Sequence, residues 1–166
     1  MDYRVFPGFI RRDSVDMDAL IRPASRKDLP AIMEIEKQSF ISPWDSLAMF
    51  LALDDPQGRG TVAWAGKTLV GYCFAHAMHD MLHILNLAVR PACRRQGVAR
   101  QLLNDLIAFG EESGRLFAFL EVRSSNGEAR ALYADMGFRH VCTWRKYYQD
   151  THEDAEIMLK GLTCRI

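Results

Sequence analysis

"LAVRPACRRQGVARQLL", Leu87–Leu103, changes its period halfway along. Its first three residues close the apolar run "MLHILNLAV" that begins at Met81 and reads as a strand. After Pro91, Val98, Leu102, Leu106 and Phe109 recur at helical spacing, as do Ala99, Leu103 and Ile107. The loop between strand and helix carries Arg90, Arg94, Arg95 and Arg100 within eleven residues, with no acid among them. A helix start presents unpaired N–H groups and a partial positive charge, which suit phosphate. Gly97 stands at that start, and its missing Cβ allows close approach of the backbone. The plain alternative is a solvated basic turn. Neither GxGxxG nor GxxxxGK[ST] occurs, which argues against a nicotinamide dinucleotide or a P-loop nucleotide.

Outward from this stretch the chain reads as one layered α/β domain. A first strand is expected at Leu20-Ile21-Arg22, and Ser25 with Asp28 resembles a capping box opening a helix through Phe40. "SPWDSLAMFLAL" gives a turn and a second helix from about Asp45. "GTVAWAG", "TLVGYCFAHAM" and "MLHILNLAV" form a meander with turns at Gly66-Lys67 and His79-Asp80. "LFAFLEV" reads as a central strand buried on both faces. "GEARALYADMGF" is a helix closed by Gly137, and "RHVCTWRKYY" with "DAEIMLKGL" makes a closing hairpin. Residues 1–18 are an extension of unknown role, and 19–166 form the single domain.

Composition narrows the function. Lys plus Arg equals Asp plus Glu at 21 each, so no bulk basic field exists to hold nucleic acid or an anionic membrane. No stretch of about 18 apolar residues occurs that would span a bilayer. The four cysteines lack CxxC spacing, and the N-terminus lacks an apolar signal core. A reducing, cytoplasmic setting is expected.

A carboxylate, Glu121, ends the strand "LFAFLEV", just before Asn126 and a helix that carries Tyr133. Left to the residues alone, Glu121 is either a proton acceptor or the partner of Arg123 on the same strand face. Tyr133 is either a proton donor or a core aromatic among Leu132, Met136 and Phe138.

The run Arg94-Arg95-Gln96-Gly97-Val98-Ala99 resembles the pyrophosphate loop of the GNAT superfamily of N-acetyltransferases. "IEKQSFISPWD", "LEVRSSNGEARALYADMGF" and "RKYYQDTHEDAEIMLK" resemble its bacterial ribosomal-protein-alanine N-acetyltransferase (RimI) subgroup, over roughly residues 20 to 160. The resemblance implies the GNAT fold: a central, mostly antiparallel mixed sheet with a parallel central strand pair, flanked by helices. It implies acetyl-CoA as donor, and no metal is expected. Leu87, Ala88 and Val89 would line the pantetheine arm through their backbone. The backbone N–H groups of Arg95 to Arg100 would surround the pyrophosphate, beside Arg94 and with Val98 and Ala99 in the helix start. Asn126 would also hold the cofactor. Ala99 departs mildly from the Gly often found there.

The same resemblance makes Glu121 the base and Tyr133 the acid. An amine must be neutral to attack, and an α-amino group with a pKa of about 7.7–8.0 is largely protonated at neutral pH. A carboxylate can take that proton, and a phenol can donate to the leaving sulfur. A backbone N–H near Val89 would stabilise the oxyanion. The loops around Trp44 and Tyr147, with Glu36 nearby, would flank the acceptor, a protein N-terminus such as the alanine of a small-subunit ribosomal protein. His76, His79 and His83 are spaced like a metal face on a helix, but alternating apolar flanks place them on two strands and a turn.

Overall fold

The computed structural model describes residues 17–163. Among them, seven strands and four α-helices follow the order expected from the sequence. These are β1 (Leu20–Pro23), α1 (Leu29–Ser39), α2 (Ser46–Asp54), β2 (Gly58–Ala65), β3 (Thr68–Met78) and β4 (Met81–Val89). Then come α3 (Val98–Glu112), β5 (Phe117–Arg123), α4 (Gly127–Asp135), β6 (Arg139–Tyr148) and β7 (Glu153–Gly161). One sheet holds all seven strands in the order β1-β2-β3-β4-β5-β7-β6. Every neighbouring pair is antiparallel except β4 and β5, which run parallel at the centre.

Local chemistry sets the element ends. Asp28 accepts from the Ser25 backbone at 2.8 Å and takes a forked pair of bonds from Arg22 at 2.9 and 2.6 Å, fixing the turn that leads into α1. Asp45 caps α2 by accepting from the Ala48 N–H at 2.7 Å. Gly137, at φ 88°, turns the chain out of α4 in the left-handed region.

The two faces of the sheet bury different clusters. Val98, Leu102, Leu103 and Leu106 of α3 pack with Tyr133, Met136 and Phe138 on Cys73, Ile84, Leu120 and Val122. Gly71 makes that packing close: a Cβ there would stand 3.1–3.2 Å from the Ala88 carbonyl, Leu102 and Val98. The opposite face receives Ile32 and Ile35 of α1 and Met49 of α2 on Val62, Tyr72 and Phe74.

The expectation of a doubly buried β5 is corrected. Ala118, Leu120 and Val122 are buried, whereas Phe117, Phe119, Glu121 and Arg123 alternate onto a partly open face. The apolar run looked continuous because two phenylalanines occupy that second face.

One irregularity shapes the centre. Phe74 pairs with Asn86 and Ala75 with Ile84, so Leu85 is an extra residue in β4. The β4–β5 ladder covers only Met81–His83 against Phe117–Phe119. Beyond it the ladder ends, leaving a gap in the pairing between Leu87–Val89 and Glu121–Arg123.

Residues 1–16, most of the expected N-terminal extension, lie outside the described residues. Met17 is tied to the arginine-rich loop: its N–H donates to the Gln96 carbonyl at 2.9 Å, and Gln101 Nε2 donates to its carbonyl at 3.0 Å. No described helix is long and apolar enough to cross a membrane.

Candidate active site

Beyond β4 the chain makes a single 3-10 turn, Pro91–Cys93, and then a short loop into α3. Arg95 at φ 62° and Gly97 at φ 76° both adopt left-handed backbone conformations. For arginine this is uncommon, and such strained positions cluster where backbone groups meet a ligand. Left-handed residues on either side of Gln96 turn the chain sharply into α3. The first intrahelical bond of α3 runs from Gln101 to Gly97 at 3.1 Å, so Val98, Ala99 and Arg100 keep their N–H groups unspent within the helix. Arg94 reaches back to the Val89 carbonyl at 3.1 Å and Gln96 to the Ala92 carbonyl at 3.3 Å, which brace the loop. Arg100 lies 3.7 Å from Asp135 on α4. These residues fit a diphosphate. The last turn of β4 supplies Leu87, Ala88 and Val89 beside the gap, where β5 has left their outer edge.

Glu121 faces the opposite side of β5 from α4, and only 11 % of its side chain is exposed. It does not pair with Arg123. His83 Nε2 lies 2.7 Å from Glu121 Oε2, and the imidazole stacks on Phe119 with ring centroids 4.2 Å apart. Arg123 instead binds Asp150 at 2.6 Å and lies over the Tyr148 ring at 3.9 Å.

Tyr133 projects from α4 and is 8 % exposed. It meets Phe138 edge to face. Burial pushes the phenol well above its ordinary range, so it stays a proton donor at neutral pH. Tyr148 connects the two sides. Burial pushes it up to about 12, against the pull of Arg123, with Glu121 adding to the rise. Tyr148 is also near enough to Tyr133 to raise that phenol further. Burial and Glu121 raise Tyr147 as well.

Glu36 is fully enclosed. It accepts from the Trp44 N–H at 2.7 Å, from the Tyr72 hydroxyl and from Asn86 Nδ2 at 3.2 Å. It therefore touches the acceptor side only through the loop it holds. Trp44 is half-buried against the α1–α2 cluster, while Tyr147 is 42 % exposed between Trp144 and Tyr148. Asn126 caps α4, its Oδ1 accepting from the Ala129 N–H at 3.1 Å, so one side of its amide is already used.

Sequence reasoning missed five contributors. His83 was weighed only as a metal ligand, yet its place on the same sheet face as Phe119 and Glu121 follows from the β4–β5 register. Tyr72 and Asn86, the partners of Glu36, gave no local signal. Ser42 and Asp150 meet across 108 residues and gave no local signal either.

A GNAT acetyltransferase family model matches residues 29–138. The chain belongs to the GNAT acetyltransferase family. It is 35% identical over 136 residues to the [ribosomal protein bS18]-alanine N-acetyltransferase of Salmonella typhimurium, covering 81% of this chain and 91% of that one. The crystal structure of the ribosomal-protein-S18-alanine N-acetyltransferase from Escherichia coli superposes with a TM-score of 0.82 at 30% identity, covering 89% of this chain and 96% of that one. Ard1 from Thermoplasma volcanium shares the fold, with a TM-score of 0.82 at 24% identity over 87% of this chain and 98% of that one. The GNAT fold and the RimI-type resemblance expected from the sequence are both borne out, and the chain is an acetyltransferase of this family.

Proposed function

We propose that this GNAT enzyme moves acetyl from acetyl-CoA to the N-terminal α-amine of a protein, with the alanine terminus of a small-subunit ribosomal protein as preferred acceptor. The observation that carries the reading is the placement of Glu121. A nearly enclosed carboxylate stands where β4 and β5 part, with Tyr147 and Tyr148 beside it. The similarity to bS18-alanine acetyltransferases supports the choice of acceptor.

In this reading the left-handed loop and the first turn of α3 hold the diphosphate of the donor, and the free edge of Leu87–Val89 aligns its arm. Bound there, the donor supplies a thioester carbonyl open to direct attack. Glu121 accepts a proton from the acceptor ammonium, directly or through a water, leaving a nucleophilic amine. A backbone N–H near Val89 stabilises the charge that develops on the carbonyl oxygen. The Tyr133 hydroxyl donates its proton to the departing sulfur and regains one from the acylated nitrogen. The Trp44 loop and the Tyr147 region flank the entering peptide end, where aromatic faces give contact at small entropy cost.

Thiol release from acetyl-CoA, measured with a panel of peptides, tests this. Peptides with a free N-terminal alanine should turn over fastest, and blocking that amine should abolish release. Equal or faster turnover of lysine side chains or small amines would overturn the acceptor assignment. Binding of acetyl-CoA without release for any amine would indicate a non-catalytic acyl-CoA-binding protein.

A further inference from the structure

We infer that His83 takes over the proton that Glu121 removes from the acceptor amine, and that the neighbouring His76–Asp55 pair passes it to an open cavity at the end of the sheet. The inference rests on Glu121 being the base.

Each turnover at neutral pH releases one proton net, because an ammonium becomes an amide while the sulfur leaves as a thiol. Glu121 must lose its proton before the next cycle. Its own exposure is small, and a peptide docked between the Trp44 and Tyr147 loops would cover it further. A route away from the acceptor side is therefore useful.

The geometry supplies one. His83 Nε2 is already 2.7 Å from Glu121 Oε2, and stacking on Phe119 fixes the ring plane. The β3–β4 register puts His76 directly opposite His83. Directly opposed residues share a sheet face with Cβ atoms about 4.5–5.5 Å apart, so the two imidazoles are neighbours. His76 Nδ1 in turn bonds Asp55, which also accepts from the Gln57 N–H at 2.9 Å. Asp55 and His76 form the wall of an open cavity of about 710 Å³, with Gln57, His79 and Arg115 around it. The row Glu121, His83, His76, Asp55 thus runs along one face from the reaction gap to the sheet end.

The titratable groups around His83 are few. β5 presents Glu121, β3 presents His76, and the α2–β2 connection places Asp55 behind His76. From β6, Tyr147 and Tyr148 act on Glu121. Glu36 lies further along, engaged with Asn86 and Tyr72.

A neutral imidazole has one lone pair and one N–H, so it can accept at one nitrogen and release from the other. The proton leaves the ammonium nitrogen for a Glu121 oxygen, then passes to His83 Nε2. The proton on His83 Nδ1 departs toward His76, directly or through a water, and no electrons change hands. His83 therefore acts through Glu121 and does not touch substrate.

The test uses the full chain with acetyl-CoA and an alanine-terminated peptide. His83→Gln keeps a hydrogen-bonding group but cannot relay. In dilute buffer its kcat should fall about tenfold, with the KM for acetyl-CoA unchanged, and added imidazole should restore the rate. A merely structural role would not respond to imidazole. His76→Gln should show a smaller loss, also restored. Full activity of His83→Gln in dilute buffer, or a loss that imidazole leaves unrepaired, overturns the relay. Full activity of His76→Gln overturns its second leg alone. Glu121→Gln, run alongside, separates the two readings. If it keeps the wild-type rate, the base assignment has failed. If it is slow while His83→Gln is fast, only the relay has failed.

Discussion

Ser42 and Asp150, 108 residues apart in sequence, meet through a 2.8 Å hydrogen bond from the serine hydroxyl to the carboxylate. The same Asp150 oxygen accepts from Arg123 at the end of β5. The loop after α1 and the loop after β6 are thereby joined beside Glu121. Arg123 and then Ser42 hold the Asp150 carboxyl low, at about 2, so the join stays charged at any physiological pH. Asp150→Ala should raise the KM for a peptide acceptor on the order of tenfold while leaving the KM for acetyl-CoA alone. Steady-state kinetics with each substrate varied in turn checks this, and an equal rise in both would refute it.

Glu121→Gln should lower kcat by about a hundredfold, most severely at low pH, where the acceptor amine is most protonated. Tyr133→Phe should lower kcat with little change in acetyl-CoA affinity, since the ring still fills its pocket. Rate profiles from pH 6 to 9 decide both, and wild-type rates in the two variants would remove their assigned roles.

Gly97 occupies a left-handed backbone position at the start of α3. Placing alanine there should cost about 1–2 kcal/mol of local strain and crowd the N–H groups to which the proposed reading assigns the diphosphate. The KM for acetyl-CoA should rise, with the peptide KM steady. Initial-rate measurements at saturating peptide provide the comparison.

Glu36 is fully enclosed and accepts from the Trp44 backbone, Tyr72 and Asn86. Glu36→Ala leaves those donors without a partner and should destabilise the fold by about 2–4 kcal/mol. Glu36→Gln, which keeps the shape and one acceptor, should cost less. Urea unfolding monitored by tryptophan fluorescence measures the difference.

Tyr72, Tyr133 and Tyr148 are all raised above the ordinary phenol value, chiefly by burial. Between the ordinary value near 10 and the raised folded values, the unfolded chain sheds protons that the native one keeps. Stability from these groups is therefore complete below about pH 10 and declines as pH rises beyond it. Unfolding free energies should be flat from these tyrosines at pH 8 to 9 and fall above pH 10, with tyrosinate absorbance appearing together with unfolding.

Periodicity revealed what is local. The strand, loop and helix from Leu87 to Leu103 could be read because apolar spacing shifts from strand to helix around one glycine. Glu121 was visible as a lone acid closing an apolar strand. The partners were not visible in the same way. His83 meets Glu121 across a parallel pair whose strands are separated by all of α3, and no spacing rule reports a crossover register. Glu36 could be placed beside the acceptor loops, but its enclosure could not be read, because Tyr72 and Asn86 arrive from two other strands. The second face of β5 was misjudged because Phe117 and Phe119 count as apolar whether or not a layer covers them.

The extra residue in β4 carries a cost in kinship with ordinary sheets. Were Leu85 deleted, His83, Ile84, Asn86 and Leu87 would alternate without interruption, and each neighbour would keep the side it faces now. The shortened strand would satisfy every rule of inside and outside, and it could run on against β5 to the end. In the proposed reading such a protein should lose acetyl transfer, and it would also lose the Leu85 side chain that packs against the α1–α2 cluster.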